Sequence, residues 1–236
     1  MGPVVRDEHP LTSDRARGLL IASLLGLATA TAFLMVGLDA TRSWVQAVDD
    51  RFLNLVVRNR SGPVTATARV LDVLGGFAVL TPVRLLVGAY LAFRRRWWHL
   101  SAFVAAVVAS EAFIGGLKDA YDRPRPPAGL ALVDSTGSAF PSGHAVAVAA
   151  SVTAMVLVLV PVGPSRWWWG SVAVMFSFVM AASRAYLAVH WLSDAVAGAL
   201  LGFTLAVVPA VAVQWVRDGR ARRRAPPDEH PLSRVR

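Results

Sequence analysis

Three short stretches hold nearly all the residues able to do chemistry: "KDAYDRPRP" (Lys118 to Pro126), "PSGH" (Pro141 to His144) and "SRAYLAVHWLSD" (Ser183 to Asp194). Lys118 is the only lysine in a chain otherwise committed to arginine. With Arg125 and Arg184 it supplies three cations without a carboxylate cluster beside them, which suits an anion with several oxygens. Pro141-Ser142-Gly143-His144 stands directly before an apolar run. It therefore opens a helix whose unpaired N–H groups and positive dipole end favour phosphate. Gly143 lets the backbone come close to such a ligand, and Ser142 adds a hydroxyl donor. His190 and Asp194 are spaced i, i+4 at the start of a last helix, hence on one face. A carboxylate so placed can bond one imidazole nitrogen, fix the tautomer and leave the other nitrogen to attack. His144 is then a second histidine, available to protonate a leaving oxygen.

Segments so far apart need a scaffold to bring them together. The chain is 55% hydrophobic and 17% charged, too apolar for an ordinary soluble domain of its length. Apolar runs lie near 18–38, 71–93, 97–117, 144–162, 167–188 and 192–216, each about the ~20 residues a helix needs to cross a bilayer. The expectation is an all-α bundle of six transmembrane helices over residues 18–216, with tails at 1–17 and 217–236. Charged residues precede the first run and no small-residue cleavage pattern follows it, so it is a retained helix.

Arg94-Arg95-Arg96, Arg166 and the arginines from Arg217 to Arg224 fall on one side of such a bundle, and the positive-inside rule makes that side, with both tails, cytoplasmic. Trp97-Trp98 and Trp167-Trp168-Trp169 suit an interfacial belt there. The three chemical segments share the extracytoplasmic end. The first outer loop carries Arg42, Arg51, Arg58, Arg60 and Arg69, offset in net charge by Asp39, Asp49, Asp50 and Asp72. Within it, "WVQAVDDRFLNLVV" has the spacing of a helix lying along the membrane surface. The absence of cysteine excludes disulfides, thiolate metal sites and a thiol nucleophile. The net charge of +9 sits mostly in tails and short connections, which argues for membrane orientation and against a nucleic-acid partner.

Lys118-x6-Arg125-Pro126, Pro141-Ser142-Gly143-His144 and Ser183-Arg184-x5-His190-x3-Asp194 together resemble the three signature motifs of the type 2 phosphatidic acid phosphatase superfamily, and the six-run pattern resembles its membrane branch. The resemblance implies that His190 is the nucleophile that forms a phosphohistidine and that Asp194 orients it. It makes His144 the acid that protonates the departing group and then the base that activates water. Lys118, Arg125 and Arg184, with Ser142 and the Gly143 N–H, would hold the phosphoryl oxygens. No metal or other cofactor is implied, since the cations take over that role. Of the two Arg-Pro pairs, Arg123-Pro124 and Arg125-Pro126, the second has the family spacing from Lys118.

The expected activity is hydrolysis of the terminal phosphate of a membrane lipid. Undecaprenyl diphosphate is the first choice, and phosphatidylglycerophosphate and phosphatidic acid are competitors. A phosphotransferase using the same histidine, a non-catalytic lipid-binding or transport protein, and a haloperoxidase are the alternatives. Arg84 and Glu111 lie within apolar runs, where charge needs a partner or a cavity. Glu111 is expected to line the substrate cavity or to pair with Arg84, and Pro82 to kink the second helix. Gly75-Gly76, Gly115-Gly116 and the small residues Ala195, Gly198, Ala199 and Gly202 permit close helix approach, within one chain or between two. "DEHPLT" at Asp7 and "DEHPLS" at Asp228 nearly repeat, in tails expected to be polar and mobile.

Overall fold

The computed structural model describes residues 8–224, which form eight α-helices and no strand. They are α1 (Arg15–Gly37), α2 (Asp39–Arg58), α3 (Gly62–Gly75), α4 (Phe77–Phe93), α5 (Trp97–Tyr121), α6 (Gly143–Leu159), α7 (Pro164–Tyr186) and α8 (Leu192–Arg224). The expected all-α class holds. Three of them, α1, α5 and α8, are each long and apolar enough to cross a membrane; α3 and α4 meet that test as a pair bent by 49°. The helix α6 is apolar but only 17 residues long, and α7 has serines, tryptophans and two arginines diluting its apolar residues. Large side chains such as Leu24, Leu27, Leu85, Leu86 and Phe93 are exposed on the outside of the bundle, as a lipid-facing surface requires.

The centre of the bundle is the contact between α6 and α8. Ala145, Ala149, Ala195 and Ala199 are fully buried there. A Cβ placed on Gly198 would lie 2.9 Å from the Ser142 main-chain oxygen, and one on Gly202 would lie 2.5 Å from that of Val146. Small residues let the two backbones meet, so the close approach foreseen for Gly198 and Gly202 is made within the chain. The same contact seats the N-terminus of α6 beside the first turn of α8.

Two features differ from expectation. The run at 71–93 is not one helix: it breaks at Gly76, whose extended ψ of 160° ends α3, and Pro82 lies inside the continuous α4. The segment before α1 is not a free tail from Glu8 onward. Leu11 is fully buried, its N–H donates to Gln214 Oε1 at 2.9 Å, and its carbonyl accepts from Arg166 at 2.6 Å. Arg217 donates to the main-chain oxygens of Glu8 and His9. This gives most of the first "DEHPL" a physical role in tying α1 to α7 and α8; its Asp7 and the whole second copy lie outside the described residues. As expected, the "WVQAVDDRFLNLVV" stretch is helical, within α2, and it buries Val45, Asp49 and Leu53 on one stripe. Arg84 and Glu111 pair at 2.6 Å, with Arg84 also donating to Ser151 Oγ and the Ala147 carbonyl.

Candidate active site

The end of α5, the 122–142 loop, the start of α6, the end of α7 and the turn 187–191 before α8 meet at one end of the bundle. Asp122 takes a left-handed conformation (φ 37°) that short polar residues tolerate, and this stops α5 just after Lys118. The loop is then pinned over the site. Phe140 is fully buried with ring centroids 4.7 Å from Phe33 and 4.6 Å from Tyr121. The Trp191 indole N–H donates to the Pro124 carbonyl at 2.8 Å, and the N–H of Leu132 donates to Leu187.

His190 lies in the turn before α8, not on the helix, so the i, i+4 argument does not apply to it. Its Nδ1 is 2.7 Å from the Ala139 main-chain oxygen and 3.8 Å from Asp194 Oδ2. A carbonyl only accepts, so the proton is on Nδ1 and the lone pair on Nε2. Asp194 was expected to bond this imidazole. Instead its Oδ2 accepts the Trp191 N–H at 2.8 Å, as an acid in the first turn of a helix does, and its Oδ1 takes Arg123 at 2.5 Å. Burial pushes the His190 pKa below the ordinary imidazole value; Asp194 opposes that shift, and Arg125 and Arg184 add to it.

Arg125 faces His190, with Nη1 3.4 Å from Nε2. The same guanidinium donates to the carbonyls of Thr136, Gly137, Ser138 and Val189, so it also clamps the loop to the turn. Ala188, between them, takes a left-handed φ of 55°, a strained conformation for alanine held by this surrounding structure. Lys118 sits half-buried in the last turn of α5, close enough to feel the charge of Arg125 and Arg184. Arg184 is 3% exposed and paired through Nη1 with Asp72, while its Nε is buried without a partner among the described residues. Ser142, at the N-cap of α6, is fully buried, and its Oγ also lacks a partner there. Gly143 has room: a Cβ would meet only Ile114, at 3.6 Å. His144 turns Nε2 to the main-chain oxygen of Asp72 at 3.1 Å.

The structure thus brings all eight expected residues to one end of the fold. Three more belong to the neighbourhood. Arg123 bridges Asp49 at 2.8 Å and Asp194, and Asp49 also accepts from the N–H and hydroxyl of Ser193. Asp72 touches both His144 and Arg184. The sequence held one signal for Asp49, an acid on the buried 45, 49, 53 stripe of α2.

A family model described as the PAP2 superfamily matches residues 97–218, more than half of the chain. Comparison with curated proteins gives no significant match. Among solved structures, the fold is similar to that of the first transmembrane PAP2-type phosphatidylglycerolphosphate phosphatase from Bacillus subtilis. The TM-score is 0.63 at 21% identity, covering 91% of this chain and 98% of that one. It is also similar to LpxE from Aquifex aeolicus, with a TM-score of 0.56 at 19% identity, over 67% of this chain and 92% of that one. At such identities the likeness is one of fold. The family match is wider in what it says, since it spans every one of the eight site residues from Lys118 to Asp194, and on that ground this chain belongs to the PAP2 superfamily.

Proposed function

We propose that the protein is an integral-membrane phosphatase that removes the terminal phosphate of a lipid phosphate or diphosphate through a phosphohistidine on His190. One observation carries this. Nε2 of His190 bears a lone pair beside Arg125, in a site where Arg184 Nε and Ser142 Oγ are buried donors without partners among the described residues. Such donors are costly to bury unless an oxygen-rich ligand takes them.

In the proposed reaction the Nε2 lone pair attacks phosphorus in line, the bond to the leaving oxygen breaks, and that oxygen takes a proton from His144. Lys118, Arg125, Arg184, Ser142 and the Gly143 N–H stabilise the charge on the remaining phosphoryl oxygens. His144 then accepts a proton from water, whose oxygen attacks phosphorus as the P–N bond breaks, releasing inorganic phosphate. Asp194 favours the cationic imidazole of the phosphoenzyme through its charge, at 3.8 Å. The three cations do the work for which other phosphatases use metal ions.

Six crossings fit this reading. The ends of α3, α5 and α7 and the starts of α6 and α8 lie with the site; the starts of α1, α5 and α7 and the ends of α6 and α8 lie at the other. That other end carries Arg94, Arg95, Arg96, Arg166, Arg217 and Arg220, which supports a cytoplasmic location for it and an extracytoplasmic site. The substrate would then reach the site from the outer leaflet with its tail in lipid. Undecaprenyl diphosphate is the first candidate, with phosphatidylglycerophosphate, to which the Bacillus structure's name refers, and phosphatidic acid behind it.

The test is phosphate release from undecaprenyl diphosphate by the detergent-purified protein in EDTA, beside His190→Ala. Turnover lost in the variant supports the proposal. No turnover by folded wild type on this lipid or on the other two would refute it.

A further inference from the structure

The stretch Asp72-Val73-Leu74-Gly75-Gly76, at the end of α3, belongs to none of the three motifs, and its two glycines were expected only to permit close packing. They do more than that. A Cβ on Gly75 would lie 2.9 Å from the Met180 side chain and 3.1 Å from Cδ2 of His144, so this backbone forms a wall against the His144 ring. In an unbroken helix the Gly76 N–H would bond the Asp72 carbonyl. Here it bonds Val73 at 3.2 Å instead, and the Asp72 carbonyl faces Nε2 of His144 at 3.1 Å. The 49° break between α3 and α4 thus frees a carbonyl that the site uses.

The Asp72 carboxylate points the same way. Its Oδ1 is 3.4 Å from Nε2 of His144 and is paired with Nη1 of Arg184. We propose that Asp72 is a positioning residue of the active site: it holds Nε2 of His144, so that the acid's transferable proton is the one on Nδ1, and it splints Arg184 so that Nε is left for the phosphoryl group. The inference rests on the phosphatase reading above and adds to it a residue that acts through His144 and Arg184 without touching substrate. Two consequences follow from the chemistry. An imidazolium with one N–H on two Asp72 oxygens gives up its other proton from a defined place. A carboxylate shared with Arg184 also offsets part of the cationic charge, so the released phosphate is held less tightly.

The experiment uses the full chain in detergent and compares Asp72→Asn and Asp72→Glu with wild type and His190→Ala. For Asp72→Asn the expected result is a kcat lower by about tenfold or more, with KM for the lipid changed by less than about threefold. Inhibition by inorganic phosphate should become several-fold tighter, and Asp72→Glu should recover part of kcat. The proposal is overturned if Asp72→Asn keeps wild-type kcat and phosphate inhibition per folded molecule, or if its loss of rate merely follows its unfolded fraction. Should Asp72→Asn fail to fold, Gly76→Ala replaces it, since its Cβ would crowd the Asp72 and Val73 carbonyls at 3.3 Å and leave the carboxylate in place. A lowered kcat there supports the proposal and an unchanged one overturns it. If wild type hydrolyses no lipid phosphate, the functional reading fails by itself. Calorimetric binding of inorganic phosphate then decides for Asp72: tighter binding by Asp72→Asn supports its pairing with Arg184, and equal binding overturns it.

Discussion

His190 is oriented by the main-chain oxygen of Ala139, 2.7 Å from Nδ1. The partner that fixes the tautomer of this imidazole is therefore a backbone atom of the loop between α5 and α6, while the carboxylate expected in that role stands 3.8 Å away and is committed to Arg123 and the Trp191 N–H. An imidazole held by backbone keeps its tautomer when the nearby acid is changed. In the proposed reaction Asp194 then acts through its charge and by holding the start of α8.

The pH profile should carry that signature. In the proposed reaction His190 attacks as the neutral imidazole, and burial with two arginines lowers its pKa against the opposing pull of Asp194. Protonation therefore removes the nucleophile only on the acid side of about 6.5. The acid limb of kcat/KM is expected below that value, and Asp194→Asn, which removes the opposing charge, should move it lower still. A limb at or above 6.5, or one that rises in Asp194→Asn, would contradict the assignment.

The two Arg-Pro pairs should separate by the kind of damage they cause. Arg123→Gln leaves Asp49 and Asp194, both essentially unexposed, without their cation, so a loss of stability of about 3–5 kcal/mol is expected, read as a fall in thermal midpoint. Arg125→Gln removes the guanidinium that faces Nε2, and kcat should fall by about 100-fold or more. Equal effects of the two changes on kcat per folded molecule would mean that the structure does not distinguish their roles.

Gly202→Ala tests the contact that carries the site. Its Cβ would meet backbone atoms of α6, Val146 O at 2.5 Å and Ala150 N at 2.9 Å, which cannot move aside alone. The expected cost is about 1–3 kcal/mol. Gly26→Ala in α1, with no atom within 4 Å of its Cβ, is the matched control and should be neutral or slightly stabilising.

Glu111→Gln should lower the thermal midpoint while leaving KM unchanged, because Glu111 is the charge partner of the buried Arg84. A cost of about 1–3 kcal/mol is expected for the lost charged hydrogen bond. A changed KM with an unchanged midpoint would instead place Glu111 in the substrate cavity.

Much of the candidate site was legible in the chain because the chemistry proposed for it depends on residue type and short spacing. Lys118, Arg125, Ser142, Gly143, His144, Arg184, His190 and Asp194 all lie within segments that border apolar runs, and alternating helices return those borders to the same end. The all-α class followed from apolar runs of helical length. What each residue bonds was a different matter. The i, i+4 spacing suggested a His190–Asp194 bond, yet the turn at Ala188 places His190 before the helix, and a loop from 51 residues earlier supplies the carbonyl. Hydropathy reads 71–93 as one span because both glycines at its break are themselves compatible with an apolar run. At the break the Asp72 carbonyl is left without the Gly76 N–H and faces Nε2 of His144 instead. Asp49 and Asp72 stand in sequence among the acids that offset the arginines of the first outer loop, and Arg123 in the Arg-Pro pair without the family spacing; only packing pairs Arg123 with Asp49 and Asp194, and Asp72 with His144 and Arg184. Composition and local spacing thus determined which groups are present and at which end of the bundle they gather. Tertiary structure decided their pairing, since hydrogen bonds and charges act over a few ångströms between atoms tens of residues apart.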